Sequence, residues 1–181
     1  MDMKTTGQDK YGGALEMNQK SNYDATASTR YHVECVSPDG KVKWVEEFDN
    51  LVTTAGKNSI LEETFRTPVA GTWAVGLKDT GSPTVGDTMA AHGTWLTISP
   101  YSNATDPVLT LAAASGGSAN NTASKAVFNI NATDTVYGAF VKDNTTVDSA
   151  TGILYGVGDF GAPRAVADGD TLNVTITLTI T

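Results

Sequence analysis

Apolar and polar residues alternate strictly along the last eleven positions of the sequence. From Thr171 to Thr181 the even positions are Leu, Val, Ile, Leu and Ile, and the odd positions are Thr or Asn. Successive side chains of a strand point to opposite faces, so this segment predicts a strand with one buried face and one polar face. Such a strand is typical of an antiparallel sheet with one face in water.

Shorter runs rich in β-branched and aromatic residues predict further strands, separated by turn signals such as SGGSANN and ADGD. Residues 31–48 predict a hairpin, because Pro38, Asp39 and Gly40 have the backbone preferences of a tight turn. The remaining predicted strands are 72–78, 94–99, 107–113, 125–132, 135–142 and 152–158.

One short helix is predicted near residues 55–66, with Thr54 as its N-cap and Ile60, Leu61 and Phe65 on one face. Short strands with regular turns otherwise indicate a mainly β domain over residues 31–181. We expect an antiparallel β-sandwich, and both a jelly-roll order and an immunoglobulin-like order fit the pattern.

The first thirty residues predict an extended N-terminal arm. They are polar, and their apolar residues follow no period. Ordering a backbone costs roughly 1–2 kcal/mol per residue, which such a segment cannot offset alone. We expect the arm to lie along a neighbouring subunit, anchored by Tyr11, Leu15, Met17 and Tyr23, because aromatic residues and Met are enriched in interface cores.

Charge and cysteine content exclude several classes of protein. The net charge is −8 and the pI is about 4.6, which argues against a nucleic-acid or anionic-membrane partner. The single cysteine, Cys35, excludes an intrachain disulfide. No apolar run approaches the roughly 20 residues of a membrane span, and the N-terminus does not resemble a secretory signal. We therefore expect synthesis and folding in a cytoplasm.

The segment GVGDFG, from Gly156 to Gly161, matches the dinucleotide-binding pattern G-x-G-x-x-G. That fingerprint needs a helix directly afterwards, whose N-terminus meets the pyrophosphate. Here Ala-Pro-Arg follows, and Pro163 argues against a helix at this position. We expect a glycine-rich loop with a bulge and no bound cofactor.

His32 and Cys35 lie three residues apart, which places them on opposite faces of a strand and argues against a catalytic pair. His92 has no partner in the sequence, so no zinc site is expected. Asp168-Gly169-Asp170 lacks the rest of a calcium-loop pattern, and we interpret it as a tight turn before the last strand.

The acidic pairs Glu46-Glu47 and Glu62-Glu63 are adjacent in sequence, so we expect both to be solvated rather than convergent. The chain thus has no set of residues suited to catalysis, metal binding or cofactor binding, and we predict that it is not an enzyme.

The three tryptophans, Trp44, Trp73 and Trp95, lie in strand-like runs. Packing in a core or an interface is the expected role of each. A platform for stacking carbohydrate is the alternative, and it would require aromatic side chains exposed at one end of the sandwich. The residues to look for there are Trp73, Trp95 and Tyr101.

Five segments together resemble a known group of proteins: KWVEEFDNLVTTAGKNSIL, WAVGLKDTGSPTVGDTMAAHGTW, SPYSNATDPVLTL, ASKAVFNINATDTVYGAFV and GILYGVGDFGAPRAVADGDTLNVTITLT. In this order they resemble tailed-bacteriophage virion structural proteins, some of which are head-decoration or capsid-associated proteins. The resemblance covers about residues 40–181 and brings no catalytic residues with it.

The resemblance implies a capsid decoration, or cement, protein that binds the outside of the head shell and stabilises it. Its partners would be the major capsid protein and copies of itself, with a trimer favoured. It would reside in the virion after synthesis in the bacterial host cytoplasm. A tail, collar or head-fibre component is the first alternative, and a module that binds host carbohydrate or a receptor is the second.

Overall fold

A computed structural model describes residues 26–65 and 71–181 of the chain. Within these ranges the protein has ten strands and one helix. Their bounds are β1 Ala27–Val36, β2 Val42–Asp49, β3 Leu51–Val52, α1 Thr54–Phe65, β4 Ala74–Gly81, β5 Trp95–Ile98, β6 Ser118–Asn120, β7 Ala126–Asn129, β8 Asp134–Lys142, β9 Leu154–Val166 and β10 Thr171–Ile180.

The strands form two antiparallel sheets. Sheet A has the order β2-β1-β10-β6, and β7 also pairs with β10, while sheet B has the order β3-β9-β8-β4-β5. The core lies between them, with Tyr31 and Val33 of sheet A and Val75 and Leu77 of sheet B all buried. The prediction of a mainly β, antiparallel sandwich with one short helix is confirmed.

The terminal strand β10 has the two faces that its alternation predicts. Leu172, Val174 and Ile176 are completely buried. On one side β10 pairs with β1 over its whole length, and on the other side it pairs with β6 and β7. The last strand in the sequence is therefore an inner strand of sheet A, and its own backbone is protected from pairing with another chain.

The hairpin between β1 and β2 turns where it was predicted, and Gly40 has a left-handed φ of 80°. The arm boundary is corrected, because β1 begins at Ala27 and its first four residues belong to the predicted arm 1–30. Thr29 faces the core and is buried, whereas Arg30 is exposed, so the alternation of the strand continues through these polar residues. Residues 1–25, including all four proposed anchors, lie outside the described residues.

Helix α1 starts one residue earlier than expected, and its cap is Thr53 rather than Thr54. The Thr53 hydroxyl accepts a hydrogen bond from the Gly56 N–H at 3.0 Å, which satisfies a donor of the first turn. A Cβ at Gly56 would lie 2.2 Å from the carbonyl oxygen of Tyr155. The absence of a side chain therefore lets the first turn of α1 contact the backbone of β9.

The predicted strand 107–113 is not a strand. Its backbone crosses between the sheets: the Val75 N–H donates to Pro107 O at 2.9 Å, and the Ala112 N–H donates to Asn120 O at 2.8 Å. A segment that pairs briefly with β4 and then with β6 cannot form a continuous ladder with either.

The GVGDFG segment lies inside β9, so the expected glycine-rich loop is wrong. Strand β9 runs on to Val166, and no helix follows the glycines. A Cβ at Gly138 of the adjacent β8 would lie 2.0 Å from Gly158 O, so these two strands approach too closely for side chains there. Their register shifts beside this contact, between Val136 and Gly138.

A second apolar cluster covers part of sheet B, with Met89, Trp95, Phe140, Leu154 and Val157 all buried. Trp95 packs against Phe140 with ring centroids 5.3 Å apart. In the part of the chain that the structure describes, no helix is long and apolar enough to cross a membrane.

Candidate partner-binding site

An apolar cavity of about 310 Å³ lies where α1 meets the ends of both sheets. Sheet B contributes Val141 and Tyr155, and β10 contributes Leu178 and Ile180. The rest of the lining comes from α1, the segment before β4, the crossing segment with the start of β6, and one more residue of β10: Ser59, Ile60, Glu63, Trp73, Leu109, Leu111, Ala114, Gly117, Ser118, Ala119 and, from β10, Thr179.

The cavity combines aromatic rings with one carboxylate. Trp73 and Tyr155 pack edge to face, with centroids 5.9 Å apart. Glu63 accepts a hydrogen bond from the Ser59 hydroxyl at 3.0 Å. An apolar site with few polar groups suits a side chain with an apolar body and a polar tip better than it suits a charged solute.

The first described residue, Thr26, lies beside this cavity. The Thr26 N–H donates to Thr181 O at 2.7 Å, and the Thr181 N–H donates back to Thr26 O at 3.1 Å. The next residue, Ala27, pairs with Ile180, whose side chain lines the cavity and is 53% exposed. The described part of the chain therefore begins next to the cavity.

The outer face of sheet A carries a row of exposed and half-buried ion pairs. Arg30 lies 2.7 Å from Glu47, and Lys125 lies 3.1 Å from Glu34. His32 lies between the two carboxylates, at 3.1 Å from Glu47 and 3.2 Å from Glu34. Hydrogen bonds from Lys125 and then His32 lower the pKa of Glu34. Because cations and carboxylates are interspersed, this face has no field of a single sign that would attract a polyanion.

Glu46 is buried, so the expectation that both members of the pair Glu46-Glu47 are solvated is wrong for Glu46. Its carboxylate accepts hydrogen bonds from the Gly161 N–H at 3.2 Å and from the Arg164 guanidinium. Glu46 thereby joins β2 of sheet A to β9 of sheet B. The signal was in the sequence, because Glu46 alternates with Trp44 and Phe48 on the inward face. Of the second pair, Glu63 is half-buried at the cavity.

Two lysines are almost completely buried, each with a carboxylate. Lys142 Nζ lies 2.9 Å from Asp106 and donates to Thr146 O at 2.6 Å. The Tyr101 hydroxyl donates to the other oxygen of Asp106. Burial raises the pKa of Asp106, and these two donors offset only part of that effect. Sequence patterns gave no sign of this cluster, because its members come from separate segments.

The second buried lysine is Lys78, whose ammonium lies 2.7 Å from Asp159 and donates to the carbonyl oxygens of Asp79 and Gly81. Three acceptors therefore surround one ammonium group, as a buried charge requires. The cluster fixes the bend at the end of β4 and offers no open position for a ligand.

Cys35 is buried on the inner face of β1, so the prediction that Cys35 and His32 lie on opposite faces of a strand is confirmed. The Cys35 thiol donates to Asp170 at 3.5 Å, and Lys43 Nζ lies 2.5 Å from the same carboxylate. Burial raises the pKa of the Cys35 thiol to about 12. A neutral, covered thiol of this kind is not a nucleophile.

The segment Asp168-Gly169-Asp170 forms the expected turn, with Gly169 at a left-handed φ of 86°. The Asp170 N–H donates to Ala167 O at 3.0 Å, and the Asp170 carboxylate accepts from the Ala167 N–H at 2.8 Å. Across residues 26–65 and 71–181, no three His, Cys, Asp or Glu side chains are grouped in a way that could hold a metal ion.

The aromatic side chains that the structure describes do not gather into an exposed platform. Trp95 and Tyr101 are buried, and Trp44 is half-buried with its indole N–H donating to Ala165 O at 2.9 Å. His92, which had no partner in the sequence, stacks on Trp95 with centroids 4.1 Å apart. Of the three residues named for carbohydrate stacking, Trp73 alone lines the cavity.

Compared with protein-family models and with curated proteins, the chain matches none. The resemblance of the five segments quoted above to phage virion proteins therefore stays a prediction. The described tertiary structure adds the scaffold on which those segments lie, together with the cavity at one end of it.

Proposed function

We propose that the protein is a structural component of a bacteriophage virion, and specifically a capsid decoration protein that binds and stabilises the head shell. The sequence resemblance over residues 40–181 is the observation that carries the proposal. Buried ion pairs join separate segments of the sandwich, and this supports the proposal. A rigid module of this kind loses little conformational entropy when it binds a lattice.

The end of the sandwich at the cavity is the proposed contact surface. Leu111 and Ile180 line the cavity and remain exposed at 37% and 53%. The preceding arm is proposed to continue from this end onto a neighbouring capsid subunit or a second copy of the chain, with Tyr11, Leu15 and Met17 as its outer anchors and Tyr23 as the anchor nearest the sandwich. Exposed apolar side chains beside an arm give a partner apolar surface to bury.

Stabilisation would follow from mass action. A ligand that binds the assembled lattice and not its separated subunits stabilises the lattice, by about 2.7 kcal/mol per site when its free concentration is a hundred times its Kd. No bond needs to be made or broken. A homo-oligomer, with a trimer favoured, would multiply the contacts that one molecule makes with the shell.

Copy number in purified virions tests the proposal. We expect between one copy per major-capsid subunit and one copy per few subunits, measured by quantitative gel densitometry. A handful to a few tens of copies per virion would contradict decoration and would place the protein in the tail, collar or fibres. Absence from virions would overturn the virion assignment itself.

Addition to heads that lack the protein tests the contact surface. Full-length protein should raise the temperature at which such heads release their DNA, and Ile180→Asp should weaken this effect. Val85→Asp is the matched control, since Val85 is an exposed valine that does not line the cavity. Equal losses from both variants would contradict the assignment of the contact surface to the cavity end.

A further inference from the structure

We propose that the apolar cavity beside α1 is the docking site for the side chain of Tyr23 from the same chain. The phenol ring would fill the space between the two sheets and close the open end of the sandwich. This inference concerns how the chain completes its own fold, and it holds or fails independently of where the protein acts.

The position of Thr26 gives the first argument. Its two backbone hydrogen bonds with Thr181 hold it beside Ile180, at the cavity. Tyr23 is three residues earlier, so its backbone lies within about 10 Å of Thr26. A tether this short gives the Tyr23 side chain a high effective concentration at the cavity. A side chain from a second molecule would compete only at a protein concentration above this value.

The size of the cavity gives the second argument. A closed apolar cavity of about 150 Å³ is known to accommodate benzene. The cavity here has about 310 Å³, which accommodates a phenol ring and part of its backbone.

The chemistry of the lining selects tyrosine among the apolar residues of the arm. Trp73 and Tyr155 line the cavity with aromatic surface against which a third ring can pack, and Glu63 lines it with a carboxylate that can accept a hydrogen bond from the phenol hydroxyl. Leu15 and Met17 would leave that carboxylate without a donor from the arm. Tyr11 is twelve residues further from Thr26 than Tyr23, so its tether is far longer.

Photo-cross-linking of the full chain tests the proposal. p-Benzoylphenylalanine replaces Tyr23, because its aromatic side chain can still enter the cavity, and the same amino acid at Tyr11 is the control. After irradiation of dilute protein, we expect the Tyr23 probe to give a monomeric product whose cross-linked peptides contain cavity residues such as Trp73 or Leu178. The Tyr11 probe should give these products at several-fold lower yield.

A cavity-filling variant shows whether the cross-link depends on the space itself. Ala114 lines the cavity on an exposed segment, so Ala114→Trp should reduce the yield several-fold, and the adjacent Ala113→Trp should not. A covalent dimer linked from position 23 to the cavity would overturn the proposal in favour of an exchanged arm. A link to another surface, no link, or a yield that Ala114→Trp leaves unchanged would also overturn it.

Discussion

Lys142 Nζ lies 2.9 Å from a carboxylate oxygen of Asp106, and both side chains are at most 2% exposed. The pair joins the end of β8 to the segment that precedes the crossing between the sheets. Its two charges are held away from water, so each is stabilised by the opposite charge and by one further hydrogen bond. Asp106 accepts that bond from Tyr101, and Lys142 donates it to Thr146 O.

Asp106→Ala should therefore lower the free energy of unfolding by about 3–5 kcal/mol, because it leaves the Lys142 charge buried without its partner. Urea denaturation, followed by tryptophan fluorescence, measures this change. The double variant Asp106→Leu/Lys142→Met should recover most of the loss, since it removes both charges and keeps apolar volume.

Lys125→Ala is the control for this prediction, because its ion pair with Glu34 is solvent-accessible and should contribute only about 0–1 kcal/mol. If Asp106→Ala cost no more than Lys125→Ala, the Lys142 ammonium would have to reach water in the variant, and the description of a closed cluster would be wrong.

Adjacent glutamates provide a second test. Glu46→Ala removes the acceptor of the Gly161 N–H and the partner of Arg164, so we expect a loss of at least about 2 kcal/mol in the free energy of unfolding. Glu47→Ala removes only exposed ion pairs, and about 0–1 kcal/mol is expected. Similar losses from the two variants would show that Glu46 does not clamp the sheets together.

The pH dependence of stability should report Asp170. Burial alone would raise its pKa, but hydrogen bonds from Lys43 and the Ala167 N–H outweigh burial and hold it below the usual value. A lowered folded-state pKa gives stability that is present above the unfolded pKa of about 3.9 and is lost as pH falls through the folded pKa.

Melting temperatures measured between pH 2 and pH 6 test this. The melting temperature of Asp170→Asn should fall less steeply below about pH 4 than that of the natural sequence. Parallel curves for the two proteins would show that Asp170 does not contribute. Asp168→Asn is a suitable control, because Asp168 lies in the same turn as Asp170 and is exposed.

Cys35 should be inert in the folded protein. Burial raises its pKa to about 12, so at pH 8 the thiol is protonated as well as covered. Ellman's reagent should give no colour with native protein and one equivalent in denaturant. The raised pKa gives stability that is present below the unfolded thiol pKa of about 8.5 and lost as pH rises above it. Rapid labelling of native protein would contradict the buried placement.

Local patterns predicted the elements whose determinants are local. The alternation from Leu172 to Ile176 and the turn at Gly40 each need only neighbouring residues, and both were predicted correctly. The same alternation places Glu46 on the inward face of β2. The prediction that Glu46 is solvated used its charge and its adjacency to Glu47 instead of this alternation, and it was wrong. Its partner Arg164 is distant in sequence, and a local pattern cannot predict an ion pair between distant residues.

The cavity could not be predicted from the sequence, because its walls come from segments that only the tertiary fold brings together. Trp73, Leu111 and Ile180 belong to three separate segments of the chain. The crossing segment 107–113 was predicted as a strand because its apolar and β-branched residues are typical of strands. Strand composition cannot show that the backbone pairs first with one sheet and then with the other.

The inner position of β10 also governs when the protein can fold. Strand β1 is the first of the described strands to leave the ribosome, and its partner β10 is the last of them. During synthesis one edge of β1 thus has no partner strand, and the loop that β10 must close spans almost the whole domain, which makes folding slow. Sheet A therefore assembles after translation of Ile180, and a nascent chain must avoid edge-to-edge pairing with other nascent chains until then.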